Sequence, residues 1–461
     1  MSGYATGTRK LECSGCSMIG SENVQQLPAT QIYHEFIGRT LRLEAEVTNV
    51  EIAGASSEEL PEFHSTCRAK HLCCVALLFL MALIPAMSHT QSQAVAKQAD
   101  PVPEPAIPAI LAAFDKYEVV GLPQGHGMQD LEDFIFSLIR TPAFSEKVND
   151  IEFECGNSLY QPILDRYIAG EDVPFTEVQK VWRKNGQPAC GSSGFVEQFF
   201  PLVRALNQKL PPGKRLRVLA PAPAVDFDQI KGREDLMKLH YDNEGSAASV
   251  LEKEVLSKHR KALMLFGTFH LMHGARSTVG LIEKDYPNAM FIVSDLGTFD
   301  TDLPSLSDSK FVNWPIPSIA RAKGTWMGAL DLTHFLPPPT RIDQDCKVHH
   351  EFPKPLQRPM EELVDAFLYL GPQDLRLREK IPADIALDSA YQKQLQQGGA
   401  MIGFPEAASE TPEEFDRQIV NSAANPRFVI PKPKDTGLPD PQLAKAVQSC
   451  LAMKGRSNAP Q

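Results

Sequence analysis

The sequence predicts an α/β fold, a mostly parallel sheet with helices on both faces. Three observations point there: short β-rich runs, helical patterns between them, and a repeated strand–helix–strand order that implies parallel pairing through crossover helices. The candidate strands are Glu118–Leu122, Asp150–Glu154, Arg215–Ala220, Ala262–Gly267, Ala289–Ser294 and Asp365–Leu370. Between the first two, Leu131, Phe134, Ile135, Leu138 and Ile139 recur at helical spacing. Phe195, Phe199, Leu202, Val203 and Leu206 do the same before the third. Val250 and Val255, with the charges of Glu252, Lys253, Glu254 and Lys258, predict another helix leading into Ala262. No repeat of about 20 to 50 residues is apparent.

The flanks of this core differ in composition. Residues 95 to 108 are rich in Pro and Ala and read as a linker into a domain spanning 95–404. Within it, Leu303 to Arg358 is Pro-rich and irregular, and is expected to form an insertion over one sheet edge. Residues 405–461 turn polar and Pro-rich and read as a loosely ordered tail, with one helix expected near Pro441–Met453.

Bulk composition narrows the class of function. A chain of 461 residues with 43% hydrophobic and 22% charged residues builds an ordinary globular core. The net charge of -11 and the dispersed Lys and Arg offer no basic face for phosphates, so nucleic acid is set aside.

Residues 67–94 stand apart. Arg68, Lys70 and His71 precede an apolar run, Leu72 to Met87, that exits through small residues into a polar stretch, the pattern of an export signal. The run is short for a membrane span of about 20 residues, and Pro85 interrupts it. A cleaved signal is the expectation; a retained anchor, with membrane association through residues 72–87, is the alternative. Either way the domain is expected outside the cytoplasm, periplasmic or secreted. Residues 1–66 form an N-terminal extension, read as a start recorded too far upstream or as a cytoplasmic segment before an anchor. Cys13 and Cys16 form a lone C-x-x-C there, a weak signal without a second pair. After the signal, Cys155, Cys190, Cys346 and Cys450 allow two bridges in three pairings, and the sequence does not choose.

In an open parallel sheet, ligands bind outside the carboxyl ends of the strands. After the first strand comes Pro123-Gln124-Gly125-His126-Gly127, where flanking glycines allow a sharp turn and leave the imidazole uncovered. The second strand ends at Glu154, and the fourth runs into Gly267-Thr268-Phe269-His270. Asp226 follows the third strand and Asp295 the fifth. His126, Glu154 and His270 are therefore expected at one rim. Such a set serves general acid–base catalysis, or ligates a metal through imidazole and carboxylate. Taken singly, each has a plainer reading as a turn residue or a solvated strand end.

Weaker candidates surround them. Arg166 and Arg204 sit on predicted helices and suit an anionic group, as solvated faces equally explain them. With Gln124 and Asp226 they form the expected substrate-binding set. His273 lies three residues from His270 and shares a helical face with it if that segment is helical. Cys155 reads better as a structural thiol or disulfide partner than as a nucleophile. Asp343, Asp345, Cys346, His349, His350 and Glu351 match no known ligand spacing. G-x-S-x-G, the Walker loop, G-x-G-x-x-G after a strand and H-E-x-x-H are all missing, so serine hydrolases, NTPases, dinucleotide enzymes and zincins lose support.

A strand followed by His126-Gly127, a strand ending in Glu154, and a strand running into Gly267-x-x-His270 resemble the superfamily of erythromycin esterases, ChaN-type haem-binding lipoproteins and the Tiki/TraB group. The similarity spans about Tyr117 to Ser294, and Phe367 to Pro372 looks like a later core strand of related bacterial proteins. The resemblance implies a ChaN/EreA-like fold with the site at the sheet rim. It implies that His126 acts as general base on water, with Glu154 as the strand-end acid and His270 as the second histidine. In the Tiki-like branch similar positions hold a divalent metal and cleave peptides; in the ChaN-like branch the cleft binds haem. The first motif usually reads G-E-x-H-G, but Gln124 stands here at the carboxylate, and Tyr241-Asp242 replaces an Arg-Asp pair. The leading expectation is a hydrolase-like protein acting on an acyl or peptide bond of a small molecule or peptide, metal-assisted through His126, Glu154 and His270 or metal-free. The alternatives are a haem or small-ligand binder without chemistry, and a degenerate, non-enzymatic member.

Overall fold

The computed structural model describes residues 98–296, 310–335, 340–342, 346–372, 375–402, 411–424, 447–448 and 451. Residues 1–97, which include the expected export signal, and most of Pro441–Met453 lie outside the described residues. Among the described residues, no helix is long and apolar enough to cross a membrane.

The strands, in chain order, are β1 Glu104–Pro105, β2 Val119–Pro123, β3 Asp150–Phe153, β4 Arg217–Leu219 and β5 Ala262–Phe266. They continue as β6 Met290–Asp295, β7 Ser318–Arg321, β8 Thr340–Ile342, β9 Val348–His350 and β10 Ala366–Tyr369. Eight of them form one sheet in the order β1-β7-β10-β6-β2-β5-β3-β4, and β8 pairs with β9 apart from it. From β10 to β4 every pairing is parallel, with registers such as Val119↔Ala262 and Ile151↔Leu263. The α/β class with a mostly parallel sheet is thus observed. All six predicted strands are present, each within two residues of its expected ends.

Burial on both faces explains why these strands read as near-continuous apolar runs. Val120, Leu122, Ile151, Phe153, Leu263 and Leu265 face one core, built with helices Gln129–Arg140, Gln161–Ala169 and Gly194–Lys209. Val119, Leu219, Ala262, Met264 and Phe266 face the other, built with helices Asn243–Glu254 and Thr278–Ile282. The predicted helical stripe Leu131, Phe134, Ile135, Leu138 and Ile139 is entirely buried. At the amino end of β3, Asp150 is fully buried and takes two hydrogen bonds from Arg260, at 2.6 and 2.8 Å. A buried charge is tolerable only with such pairing.

The chain leaves β2 toward the first core and β5 toward the second. Two hydrogen-bonded neighbours whose connections depart to opposite faces open a crevice at their carboxyl ends. His126 and His270 follow those two strands.

The Pro-rich stretch departs from its reading as an insertion over one edge. It contributes β7, which pairs antiparallel with β10 and carries β1 outside it. Only Ile319 and Ala320 of Ser318–Arg321 are apolar, so the run is too short to be legible without its partner. Helix Pro412–Ala424, beyond position 405, buries Phe415 against Ile385, Tyr391 and Leu395.

Candidate functional site at the carboxyl rim

Each motif side chain is placed by a strand end. Gln124 extends the β2–β5 ladder by one bond, its N–H donating to the Phe266 carbonyl at 2.8 Å. Gly127, at φ +82, then turns the chain into helix Gln129–Arg140, a conformation that favours glycine. Glu154, one residue past β3, is nearly buried and accepts the Gly267 N–H at 2.6 Å. A Cβ on Gly267 would stand 3.3 Å from the His270 ring, a tight contact, and 3.6 Å from Glu154 Oε2, an ordinary one. His270 sits on the single turn Thr268–Leu271 after β5.

The His270 imidazole lies between two carboxylates. Its Nδ1 hydrogen-bonds Glu244 Oε1, and its Nε2 stands 3.7 Å from Glu154 Oε1. Glu244 comes from the first turn of helix Asn243–Glu254, which Asp242 caps by accepting the Gly245 N–H. Its second oxygen accepts the Thr278 hydroxyl at 2.6 Å, tying two helices to one carboxylate. Burial by itself raises the Glu244 pKa, but the His270 charge and the hydrogen bonds from His270 and Thr278 outweigh it and hold the carboxyl below its ordinary value. A small cavity of about 20 Å³ opens here, walled by Glu154, Gln187, Asn243, Phe266, His270 and Thr278, room for about one water molecule. Nearby, Tyr241 Oη and Asn243 Oδ1 are buried without a hydrogen-bond partner. Burial pushes the Tyr241 phenol far above its usual range, so it stays protonated.

His126 occupies the same rim but meets different neighbours. Cys155 and Cys190 form a disulfide, and one ring nitrogen of His126 and the two sulfurs lie within 4.8 Å of one another. The Gln124 amide reaches the same bridge, Nε2 standing 3.7 Å from Cys155 Sγ. His126 Nδ1 is buried and has no hydrogen-bond partner, an arrangement that costs about 1–3 kcal/mol. Among the described residues, the potential metal donors gathered this closely are those of His126, Cys155 and Cys190. The donor set expected from sequence, His126 with Glu154 and His270, is not the one gathered, so no metal-dependent step through it is derived.

The remaining sequence candidates have local work. Arg166 pairs with Glu171 at 2.7 Å, and its side chain is 57% exposed. Arg204 donates to the Tyr167, Gly170 and Glu171 carbonyls, closing the carboxyl end of helix Gln161–Ala169, and stacks 4.7 Å over the Tyr167 ring. Asn207 bonds both backbone groups of Leu216. Asp226 accepts the Asp228 N–H in a turn. Cys155 is bonded to Cys190 and is no nucleophile in this state; Cys346 is also in a disulfide. His273 is bound on both nitrogens, by Glu283 and by Asp365. Residues 343–345 of the acidic and histidine-rich run lie outside the described residues, and His349 and His350 lie on β9.

Two participants escaped the sequence reading. Glu244 carries an ordinary signal, an acid in the first turn of a helix, which the helix dipole explains without any site. Thr278 carries none until Glu244 is placed beside it.

No family model matches the sequence, and no curated protein is significantly similar to it. A Bacillus cereus protein of known crystal structure is similar at a TM-score of 0.38 and 10% identity, over 62% of this chain and 97% of that one. A likeness at that level carries no argument.

Proposed function

We propose that the chain is a hydrolase-like protein, in which His270 activates a water molecule against an acyl or peptide bond. The observation that carries this reading is the His270 imidazole held between Glu244 and Glu154 at the wall of a water-sized cavity. Glu244, ionised and bonded to Nδ1, orients the ring and favours the tautomer with its proton on that nitrogen, leaving Nε2 as the base. Glu154, at 3.7 Å, is too far for a direct hydrogen bond to Nε2 and well spaced to share a water or a substrate oxygen with it. The buried Tyr241 hydroxyl is a candidate donor to the oxygen on which charge develops.

This reading moves the base from His126 to His270 and replaces the missing acid at Gln124 with Glu244. Acyl substrates remain the class implied by the resemblance to the esterases. The haem-binding alternative draws no support from a cavity of about 20 Å³.

The test is hydrolysis of a panel of activated esters and short peptides by the full chain and by His270→Ala. A positioned general base contributes about 10² to 10⁴ in rate, so the variant should lose that much kcat/KM on any substrate the parent cleaves. Equal rates for parent and variant, or no turnover of any substrate by a folded parent, would remove the reading.

A further inference from the structure

We propose that His126, Cys155 and Cys190 form a redox-gated site for a thiophilic divalent cation such as zinc. The site is separate from the water-activating pair and does not depend on it.

The donors are already assembled. One nitrogen of His126 and the two cysteine sulfurs lie within 4.8 Å of one another. His126 Nδ1 is buried with no hydrogen-bond partner, and a buried polar atom normally has one. Gly127, next to His126, takes the φ of +82 that turns the chain after the ring. The surrounding amides are also in place. Gln124 Nε2 stands 3.7 Å from Cys155 Sγ, and Gln187 Oε1 stands 3.5 Å from Cys190 Sγ. Asn185 locks the two cysteine segments together, donating to the Cys155 carbonyl at 3.0 Å and accepting the Gln187 N–H at 2.9 Å. The approach of the two segments therefore rests on more than the disulfide.

Two thiolates and one imidazole are the donor set of an open tetrahedral zinc site, soft enough to disfavour magnesium and calcium. The gate is the disulfide itself. A dithiol reductant supplies two electrons and two protons, its own thiols closing to a disulfide while the Cys155–Cys190 bond breaks into two thiols. The sulfurs must then separate to about 3.7 Å, the edge of a tetrahedron with zinc–sulfur bonds of about 2.3 Å. Zinc displaces the two thiol protons to solvent and accepts the imidazole lone pair of His126. Gln187 also lines the cavity beside His270, so occupancy is positioned to be felt there.

Zinc titration with a chromophoric chelator as competitor tests the proposal. The full chain, reduced with a phosphine under argon, is compared with its air-oxidised form, with Cys155→Ser/Cys190→Ser and with His126→Ala. Other cysteines contribute equally to the reduced parent and the double variant, so the difference between those two is the quantity read. The expected result is one extra equivalent in the reduced parent, absent on oxidation, and bound at least about tenfold more weakly in His126→Ala. Cobalt in place of zinc should give thiolate charge-transfer absorption that falls in the double variant. His126→Ala keeps both cysteines, so it reports even where the serine variant fails to fold. Equal stoichiometry in reduced and oxidised parent would overturn the proposal, as would unchanged affinity in His126→Ala.

Discussion

His270 and His273 lie one short turn apart, each between two carboxylates, yet their surroundings prepare them for different work. At His273 both ring nitrogens hydrogen-bond carboxylates, Glu283 on one side and Asp365 on the other at 2.9 Å. Burial alone would lower its pKa, but those bonds and charges raise it to about 9, so the ring is a fixed cation at neutral pH. The same carboxylates hold backbone as well, Glu283 accepting the Gly274 N–H and Asp365 the Ile292 N–H. His273 thus pins the turn after β5 to β6 and β10. At His270 only Glu244 is within hydrogen-bonding distance among the two acids, and Glu154 stands back at 3.7 Å across a cavity. A second carboxylate moved by less than 1 Å separates a structural ion cluster from a place where a proton can be exchanged. The number of carboxylates near a histidine says little; their distances decide.

That contrast can be broken by substitution. The largest expected effect is on turnover: His270→Ala should lose about 10² to 10⁴ in kcat/KM, whereas His273→Ala should stay within several-fold once folded. Similar losses in both variants would erase the distinction. Next in size is Glu244→Gln, which keeps shape but reverses the hydrogen-bond partner offered to Nδ1. It should cost at least about tenfold in kcat with little change in KM, read by steady-state kinetics on the same substrate.

The third expectation concerns stability. The His273 pKa is raised on folding from about 6.5 to about 9, so its stabilisation is complete below pH 6.5 and is lost as pH rises through 9. The full span is on the order of 3 kcal/mol. Thermal unfolding between pH 6.5 and 9 should show the parent losing stability more steeply than His273→Gln; parallel curves would mean the cluster contributes nothing. The smallest effect belongs to Arg204→Ala. Losing its carbonyl contacts at a helix end should lower stability by about 1–2 kcal/mol and leave turnover unchanged. A change in KM would instead revive Arg204 as a substrate contact.

Much of the fold was legible because the local signals agreed with one another. Strands buried on both faces favour near-continuous apolar runs, so Ala262–Phe266 and the first four residues of Met290–Asp295 announce themselves. Helix Gln129–Arg140 does so through a single apolar stripe, all of it buried. β7 was hidden because two apolar residues among prolines form no pattern, and its identity comes from its pairing with β10 and β1.

The sequence by itself determined six of the sheet's eight strands, the elements that connect them, and which residues stand just after the strand ends. Those properties depend on side-chain period and turn chemistry, which act over a few neighbouring positions. The tertiary structure alone decided how the rim residues combine. It set His270 against Glu244, separated by 26 positions, and brought Cys190 to His126 across 64. Such meetings depend on which strands neighbour in the sheet and which face each connection takes, and no local spacing encodes either.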